Sequence, residues 1–497
     1  MMPLQKANWE GKMDKHTKPA TMFSRRNLLV GTGLVGVAAA TAWVWPKKWL
    51  PLLEGDKAAK TTHELFDRGL VPIKNSGWTM PGGVQADYPT LENDITADIV
   101  IIGAGLAGTS LALHLAEAGV DVAVLEAREP GWGASGRNAG HVLPVLKDIS
   151  VLRGFLDEGK GFLEAFREHH TIPFDLAEKY EIECDAVKSG YLNAMTGEGA
   201  LEDFKAEMAY LETSGIQKIE TVAGSDMEQL TGSKTWSHGL IYPNGGRVNP
   251  YLFSNGMAKN AIKLGARVFG NSEALDIEPI GKKWRIRTSS GSVTADRAIF
   301  CTNAYPTGIV PEFADSFYPL TAYGLTTKPL SAEASAAIMP GGQTLAQVPV
   351  DLNPLVKDRH NRLILSSIPQ TAKPEDAAWH FQNQLNWLHD VWPETRNMDI
   401  ELEAYWTGRV GMRDVEFPGI YEAQPGVYGL MHFNAWGNVM APLIGKLFAE
   451  GVATDTIDQL PFPIEKAQPV SNPGKQDRNI RQWMIPAARQ AQRWGIL

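Results

Sequence analysis

Seven residues carry the most specific chemistry in this chain: Gly103-Ala104-Gly105-Leu106-Ala107-Gly108 and, further on, Glu126. Gly103 allows a sharp turn, Gly105 lets backbone N–H groups approach a diphosphate, and Gly108 lets a helix lie close on a sheet. Glu126 ends an apolar run, where a carboxylate accepts hydrogen bonds from the two hydroxyls of an adenosine ribose. Such chemistry needs a strand, a tight turn, a helix and a second strand. Asp98–Ile102 is a short β-branched run suited to a strand buried on both faces. Thr109–Ala118 has helical spacing, with Leu111, Ala112 and Leu115 on one face and Gly119 as a stop, and Val120–Leu125 reads as the second strand. The helix N-terminus adds partial positive charge for the diphosphate. This unit alone predicts a dinucleotide site and leaves flavin and nicotinamide equally open.

Other segments have the composition of ligand-facing backbone. Gly131-Trp132-Gly133-Ala134-Ser135-Gly136-Arg137-Asn138-Ala139-Gly140-His141 is too glycine-rich for a regular element and suggests backbone packed directly on a ligand. Arg297–Ala304 reads as a buried strand ending in small and polar residues, where ligands meet α/β sheets. Residues 151–215 have helical periodicity on Phe155, Phe162, Leu163, Phe166, Leu176, Ala177 and Tyr180. Gly239–Pro250 leads into a helix from about Tyr251 to Leu264. Ala266–Phe269 reads as a strand, and 276–295 as a β-meander. Residues 315–405 suggest a mostly antiparallel sheet with a helix at Phe381–Trp392, and a last core helix runs from about Val439 to Glu450.

The chain's 497 residues argue for two or three domains. A net charge of −9 argues against nucleic acid as a partner. Cys184 and Cys301 make no disulfide framework, Cys301 reads as a buried free thiol, and no Cys/His spacing suggests a metal. At the N-terminus, Ser24-Arg25-Arg26-Asn27-Leu28-Leu29 resembles the twin-arginine export motif and precedes an apolar, glycine-softened run to Trp45. Ala40-Thr41-Ala42 is a candidate cleavage site, and retention as a membrane anchor is the alternative. Either way the globular part is expected in the bacterial periplasm or on the periplasmic face of the inner membrane. A twin-arginine route carries folded proteins, which suits a chain that must load its cofactor first.

Together these motifs resemble the FAD-dependent D-amino-acid-oxidase superfamily, and within it the γ-glutamylputrescine oxidase-like branch. DIVIIGAGLAG with LEAR, GWGASGRNAG, FCTNAY, and the pair YWTGR and HFNAWGNVMAPLIGK carry the resemblance, over about residues 78–462. It implies an α/β fold: a Rossmann-like FAD-binding domain of residues 96–150, 225–310 and 405–462, with a mixed or antiparallel-sheet substrate domain of 151–224 and 311–404. Residues 1–45 are then the signal or anchor, 46–95 a linker entering the domain near Trp78, and 463–497 a basic tail. The tail either caps the domain or lies on an anionic membrane surface.

The resemblance also implies site residues. Glu126 holds the ribose, with Ala127, Arg128 and Ala274 on the adenosine side. Gly103, Ala104, Gly105, Leu106, Ala107 and Gly108 frame the diphosphate. Ala134, Ser135, Gly136, Arg137, Asn138 and Gly140 line diphosphate and flavin, and Cys301, Thr302 and Asn303 pack near the adenosine side. Gly408 and the run Asn434, Ala435, Trp436, Gly437, Asn438 and Val439 approach the flavin, whose reduced charge their N–H groups stabilise. This chain departs from relatives at His432 and Ala435, where they have glycine, at Trp436, where they have His, and at Arg413 and Val415. No Cys follows Cys301, and Arg137 stands at a His attachment position of some relatives, so the FAD is non-covalent.

The implied reaction removes two electrons from the C–N bond of an amine or amino acid by hydride transfer to flavin, after which the imine hydrolyses. Arg409 is the first candidate for a substrate carboxylate and Arg413 the second, while Tyr323, His141, His432 and Trp436 are candidates to line the cavity. Oxygen or a membrane quinone is the expected acceptor, and the twin-arginine machinery the expected export partner. A second reading, motivated by His432–Trp436 and the basic tail, is an exported flavoprotein subunit or maturation factor without small-molecule turnover.

Overall fold

A computed structural model describes residues 76–79 and 88–494, with short breaks at 203, 306–307, 349, 370–375 and 474–478. The twin-arginine segment, the apolar run behind it and most of 46–95 lie outside the described residues. Among the described residues, no helix is long and apolar enough to cross a membrane.

Two eight-stranded sheets organise the chain. The first is built on Asp94–Ile102, which pairs in parallel with Val122–Leu125 on one side and Ser292–Phe300 on the other. Arg267–Phe269 and Val427–Met431 extend it in parallel, and Gly419–Gln424 closes one edge antiparallel. Its central strand is buried on both faces. Ile99 and Ile101 point to the helices, while Val100 and Ile102 point to a second apolar cluster with Leu125 and Phe300. The meander reading holds: Asp276–Ile280 pairs antiparallel with Lys283–Arg287, which pairs antiparallel with the first half of Ser292–Phe300.

The helix Leu106–Glu117 follows the glycine turn and buries Leu111 and Leu115 completely, each about 1.5–3 kcal/mol of burial. Gly119 ends it in the left-handed conformation at φ 78°. The long helix Gly437–Ala453 lies against it, because Gly445 brings its backbone onto Ala107: a Cβ there would sit 2.8 Å from the Ala107 carbonyl oxygen. Ser110 adds a hydrogen bond to the Pro442 carbonyl, at 2.8 Å.

The second sheet is mixed. Its order is Leu402–Met412, Tyr318–Thr327, Leu363–Ser367, Leu355–Lys357, Thr344–Gln347, Tyr191–Met195, His238–Tyr242, Glu220–Ala223, with a single parallel contact between Thr344–Gln347 and Tyr191–Met195. Here the structure corrects the sequence reading. Tyr191–Met195 interrupts the region read as helical; its Tyr-Leu-Asn-Ala-Met run lacks the β-branched residues that announce a strand. His238–Tyr242 and Leu402–Met412 belong to this sheet, although the sequence placed 238–242 and most of 402–412 with the nucleotide domain. The tail follows its capping alternative: Ile480, Ile485 and Ala488 pack on Leu320 and Met412 of the second sheet and on Leu352 of a connection beside it, while Trp483 stays exposed.

Candidate functional site

The glycine turn has the geometry its sequence requires. Gly103 adopts φ 100°, and a Cβ on it would lie 2.9 Å from the Cys301 carbonyl oxygen. A Cβ on Gly108 would fall 2.0 Å from the Gly103 oxygen. The helix behind the turn has no side-chain cap, so its first N–H groups need an outside acceptor. Ser135 Oγ takes one, accepting from Leu106 N at 2.9 Å. Ser135 lies in the short 3-10 turn Ala134–Gly136, which also lacks a side-chain cap. Two uncapped N-termini thus meet at Ser135, a cradle for a diphosphate.

Glu126 stands at one end of this cradle. Its carboxylate accepts from Ala104 N at 2.8 Å and Arg128 N at 2.9 Å. Each oxygen retains lone-pair capacity for a ribose hydroxyl. Burial raises its pKa and the backbone N–H groups oppose that shift. Cys301 packs beneath the turn, with Thr302 beside it. Ala274 is buried in the apolar cluster with Leu125 and Phe300. Both thiols are free and buried.

At the other end, Asn138 and Asn438 exchange paired amide hydrogen bonds of 3.1 and 3.0 Å, and Asn438 also holds the His141 carbonyl at 2.7 Å. They tie the glycine-rich loop to the start of the helix Gly437–Ala453. Arg137 is spoken for: its Nε donates to the Trp132 carbonyl at 2.6 Å and its guanidinium lies over the Trp132 ring. Trp406 Nε1 donates to the Arg137 carbonyl, and Gly408 packs on the Arg137 stem. Gly136 and Gly140 close the loop, the latter at φ 81° against Trp78, whose indole N–H donates to the Asn138 carbonyl at 2.8 Å.

The segment His432–Val439 is strained. His432, Asn434 and Ala435 all have positive φ, at 56°, 50° and 58°, each costing on the order of 1–3 kcal/mol away from glycine. Surrounding groups impose it. Asn303 Oδ1 accepts from His432 N, Asn434 Oδ1 accepts from Arg413 N, and Lys147 Nζ donates to the Asn434 carbonyl. Ala435 is exposed, and nothing lies within 4 Å of a Cβ built on Gly437. The N-terminus of a long helix therefore faces open space beside the Asn138–Asn438 pair. Glu126, Ser135, Asn138 and Gly437 mark a continuous track with a carboxylate for ribose, an N–H cradle for diphosphate and a second positive helix end. These residues fit FAD.

The substrate candidates separate. His141 lies beside Tyr191 of the second sheet. Both its ring nitrogens are shielded and unpartnered, its ring meets Tyr191 at 5.4 Å, and burial lowers its pKa to about 3. His432 lies under the track, stacked on Phe317 at 4.6 Å with Nδ1 3.1 Å from Tyr421 Oη. Burial, then Arg413, hold it neutral. Tyr323 lies elsewhere: its ring packs on His380 and Tyr405 in the other core, and its hydroxyl accepts from Gln384 at 2.8 Å. Trp436 is a core residue, buried near Phe166, with its indole N–H on the Leu143 carbonyl. Arg409 lies over the Tyr305 ring at 5.6 Å, and its backbone N–H donates to the Tyr305 hydroxyl. Arg413 pairs with Glu465 at 2.8 Å. Sequence reasoning missed Lys147, Tyr305 and the inner face of the second sheet.

The fold and this track define a two-sheet flavoprotein. The chain belongs to the FAD dependent oxidoreductase (DAO) family, whose model matches residues 98–451. It is 28% identical over 402 residues to a probable oxidoreductase OrdL of Rhizobium meliloti, covering 76% of this chain and 89% of that protein. It is 27% identical over 393 residues to the gamma-glutamylputrescine oxidoreductase of Escherichia coli, covering 76% and 90%. Among solved structures it resembles glycine oxidase from Bacillus cereus, with a TM-score of 0.58 at 19% identity over 74% of this chain and 99% of that one. L-amino acid deaminase from Proteus vulgaris gives 0.61 at 17%, over 76% and 96%. The cofactor is FAD.

Proposed function

We propose that this chain oxidises the C–N bond of an amine or amino acid. Bound FAD supplies the two-electron acceptor. The observation that carries the reading is the placement of His141. It stands at the flavin end of the track, with its carbonyl on Asn438 and its neutral imidazole, both nitrogens buried and unpartnered, edge-on to Tyr191 of the second sheet. A neutral imidazole accepts an N–H and adds no charge, so it orients a neutral amine without protonating it. The chain's work is orientation and exclusion of water. The names of several relatives support the substrate class, glycine oxidase and L-amino acid deaminase among them.

The location belongs to the same proposal. Arg25-Arg26 ahead of a glycine-rich apolar run directs the folded holoprotein through the twin-arginine route, and oxygen or a membrane quinone takes the electrons. The test is anaerobic mixing of the yellow protein with a panel of amines and amino acids while flavin absorbance is followed. Bleaching by at least one of them is expected. Bleaching by none, in protein that holds FAD, refutes turnover and favours a non-catalytic subunit.

A further inference from the structure

The family match ends at residue 451, and the last helix of the chain lies beyond it. Asn479–Met484 begins it with π-type turns, and Ile485–Arg493 continues it as α-helix. One face caps the second sheet. Ile480, Ile485, Ala488 and Ala491 are buried. Arg489 Nη2 donates to Ser367 Oγ at 2.5 Å, and Gln492 donates to Gln347 at 3.4 Å. These contacts fix the rotation of the helix, and with it the face shown to solvent. That outer face carries Trp483 and Trp494, each 51% exposed, the only exposed Trp, Tyr or Phe side chains among the described residues. They stand eleven positions apart, three helical turns or about 16 Å, which puts them in line. Ala487 and Gln490 fall between them on the same face.

Three observations say what covers this face. Two indoles held outward, on a helix whose other side already makes the cap, add nothing to the core. An indole has an apolar body and one N–H donor, and its preferred place is the boundary between water and hydrocarbon. Charge is the second observation. From Pro463 onward the chain carries six Lys or Arg and two Asp or Glu, a net +4 within a chain of net −9. The tail is therefore the part drawn to an anionic surface. The third is the route of the chain before Ser76, which includes the apolar run Leu28–Trp45. It enters the described structure against Trp406 and Thr326: a Cβ on Gly77 would lie 2.6 and 2.7 Å from them. Leu320, Val410 and Met412, on which the last helix packs, lie on the same two strands and by alternation on the same face as Thr326 and Trp406. The two ends of the chain thus meet the second sheet on one side.

We propose that the Trp483–Trp494 face docks on an anionic phospholipid bilayer, with both indoles at the headgroup boundary and the helix lying along the membrane plane. Docking is independent of the amine-oxidation reading, because it is measured without substrate. The probe is a nitroxide attached at Q490C in the full-length holoprotein, whose native thiols Cys184 and Cys301 are buried. Its collisions with oxygen, which concentrates in lipid, and with a water-soluble nickel chelate are measured in three settings. These are buffer, vesicles of equal parts phosphatidylethanolamine and phosphatidylglycerol, and vesicles of phosphatidylcholine. A label on the last helix reports that helix alone, so attachment through the N-terminal run does not mimic the signal.

On the anionic vesicles the nickel collision rate is expected to fall about threefold or more while the oxygen rate rises. W483Q and W494Q together leave the buried face of the helix intact. They are expected to restore the buffer values with the urea midpoint of the protein unchanged. A label as open to nickel on co-sedimented anionic vesicles as in buffer overturns the docking, and so does failure of the protein to co-sediment. Shielding that survives the double substitution overturns it as well. Equal shielding on phosphatidylcholine overturns it too, since the charge of the tail then plays no part. Shielding already present in buffer that deepens with protein concentration assigns the face to a second copy of the chain and overturns the bilayer as its occupant.

Discussion

Replacing Gly108 by alanine tests how tightly the nucleotide cradle is built. The new Cβ would lie 2.0 Å from the Gly103 oxygen, 3.1 Å from the Gly103 carbonyl carbon and 3.3 Å from Cys301 Cβ. Ordinary contact begins near 3.4 Å, so turn and helix must separate by roughly 1.4 Å. The obstacle is backbone, which has no rotamer to give. Overpacking of this kind costs about 1–3 kcal/mol in folding. The same movement drags the N–H groups of Ala107 and Gly108 away from where the diphosphate would lie. Losing two charge-assisted hydrogen bonds, at about 1.5–3 kcal/mol each, weakens FAD by at least 100-fold. Urea denaturation of the apoprotein and FAD titration by flavin fluorescence read the two effects separately. G108A that binds FAD with unchanged affinity and unfolds at the unchanged midpoint would refute the cradle.

Three further outcomes follow from the same geometry. G437V adds a side chain at a position where nothing lies within 4 Å of the new Cβ; apoprotein stability should hold within about 0.5 kcal/mol, while FAD titration shows at least tenfold weaker binding. A435G removes a left-handed alanine at φ 58° and should stabilise the apoprotein by about 0.5–1 kcal/mol in denaturant melts, the strain relieved less glycine's added chain entropy. His141, lowered from 6.5 to about 3 by burial, stays neutral in the native state while the unfolded chain takes up a proton below 6.5. Its contribution is therefore intact above pH 6.5 and lost as pH falls toward 3, by about 5 kcal/mol in full. Denaturation of H141Q between pH 7 and 4 should show a shallower loss than the parent, and identical slopes would refute the burial.

The half of the site that was legible in the sequence is the local half. Gly103, Gly105, Gly108 and Glu126 lie within one strand–turn–helix–strand unit, where each residue's role follows from its neighbours. Asn138 and Asn438 came from separate motifs, and only the resemblance joined them. What was not legible needed knowledge of faces. Tyr323 sits on a strand whose two sides are both covered, with Leu320 packed on the C-terminal helix and Leu325 in the far core, so no alternation distinguishes the side nearer the cofactor. Trp436 stands within a ligand-facing motif yet turns into the core.

The amide pair that closes the track joins residues 300 positions apart. Closing a loop of that length costs on the order of 5 kcal/mol in chain entropy. The glycine turn and Glu126 lie within one contiguous segment, whereas the flavin end is complete only when the last long helix docks. FAD spans both ends, so it binds the completed sheet and stabilises it by mass action. Cofactor supply during folding thereby sets how much of the chain reaches its native topology, and apoprotein should be depleted first in cells short of flavin.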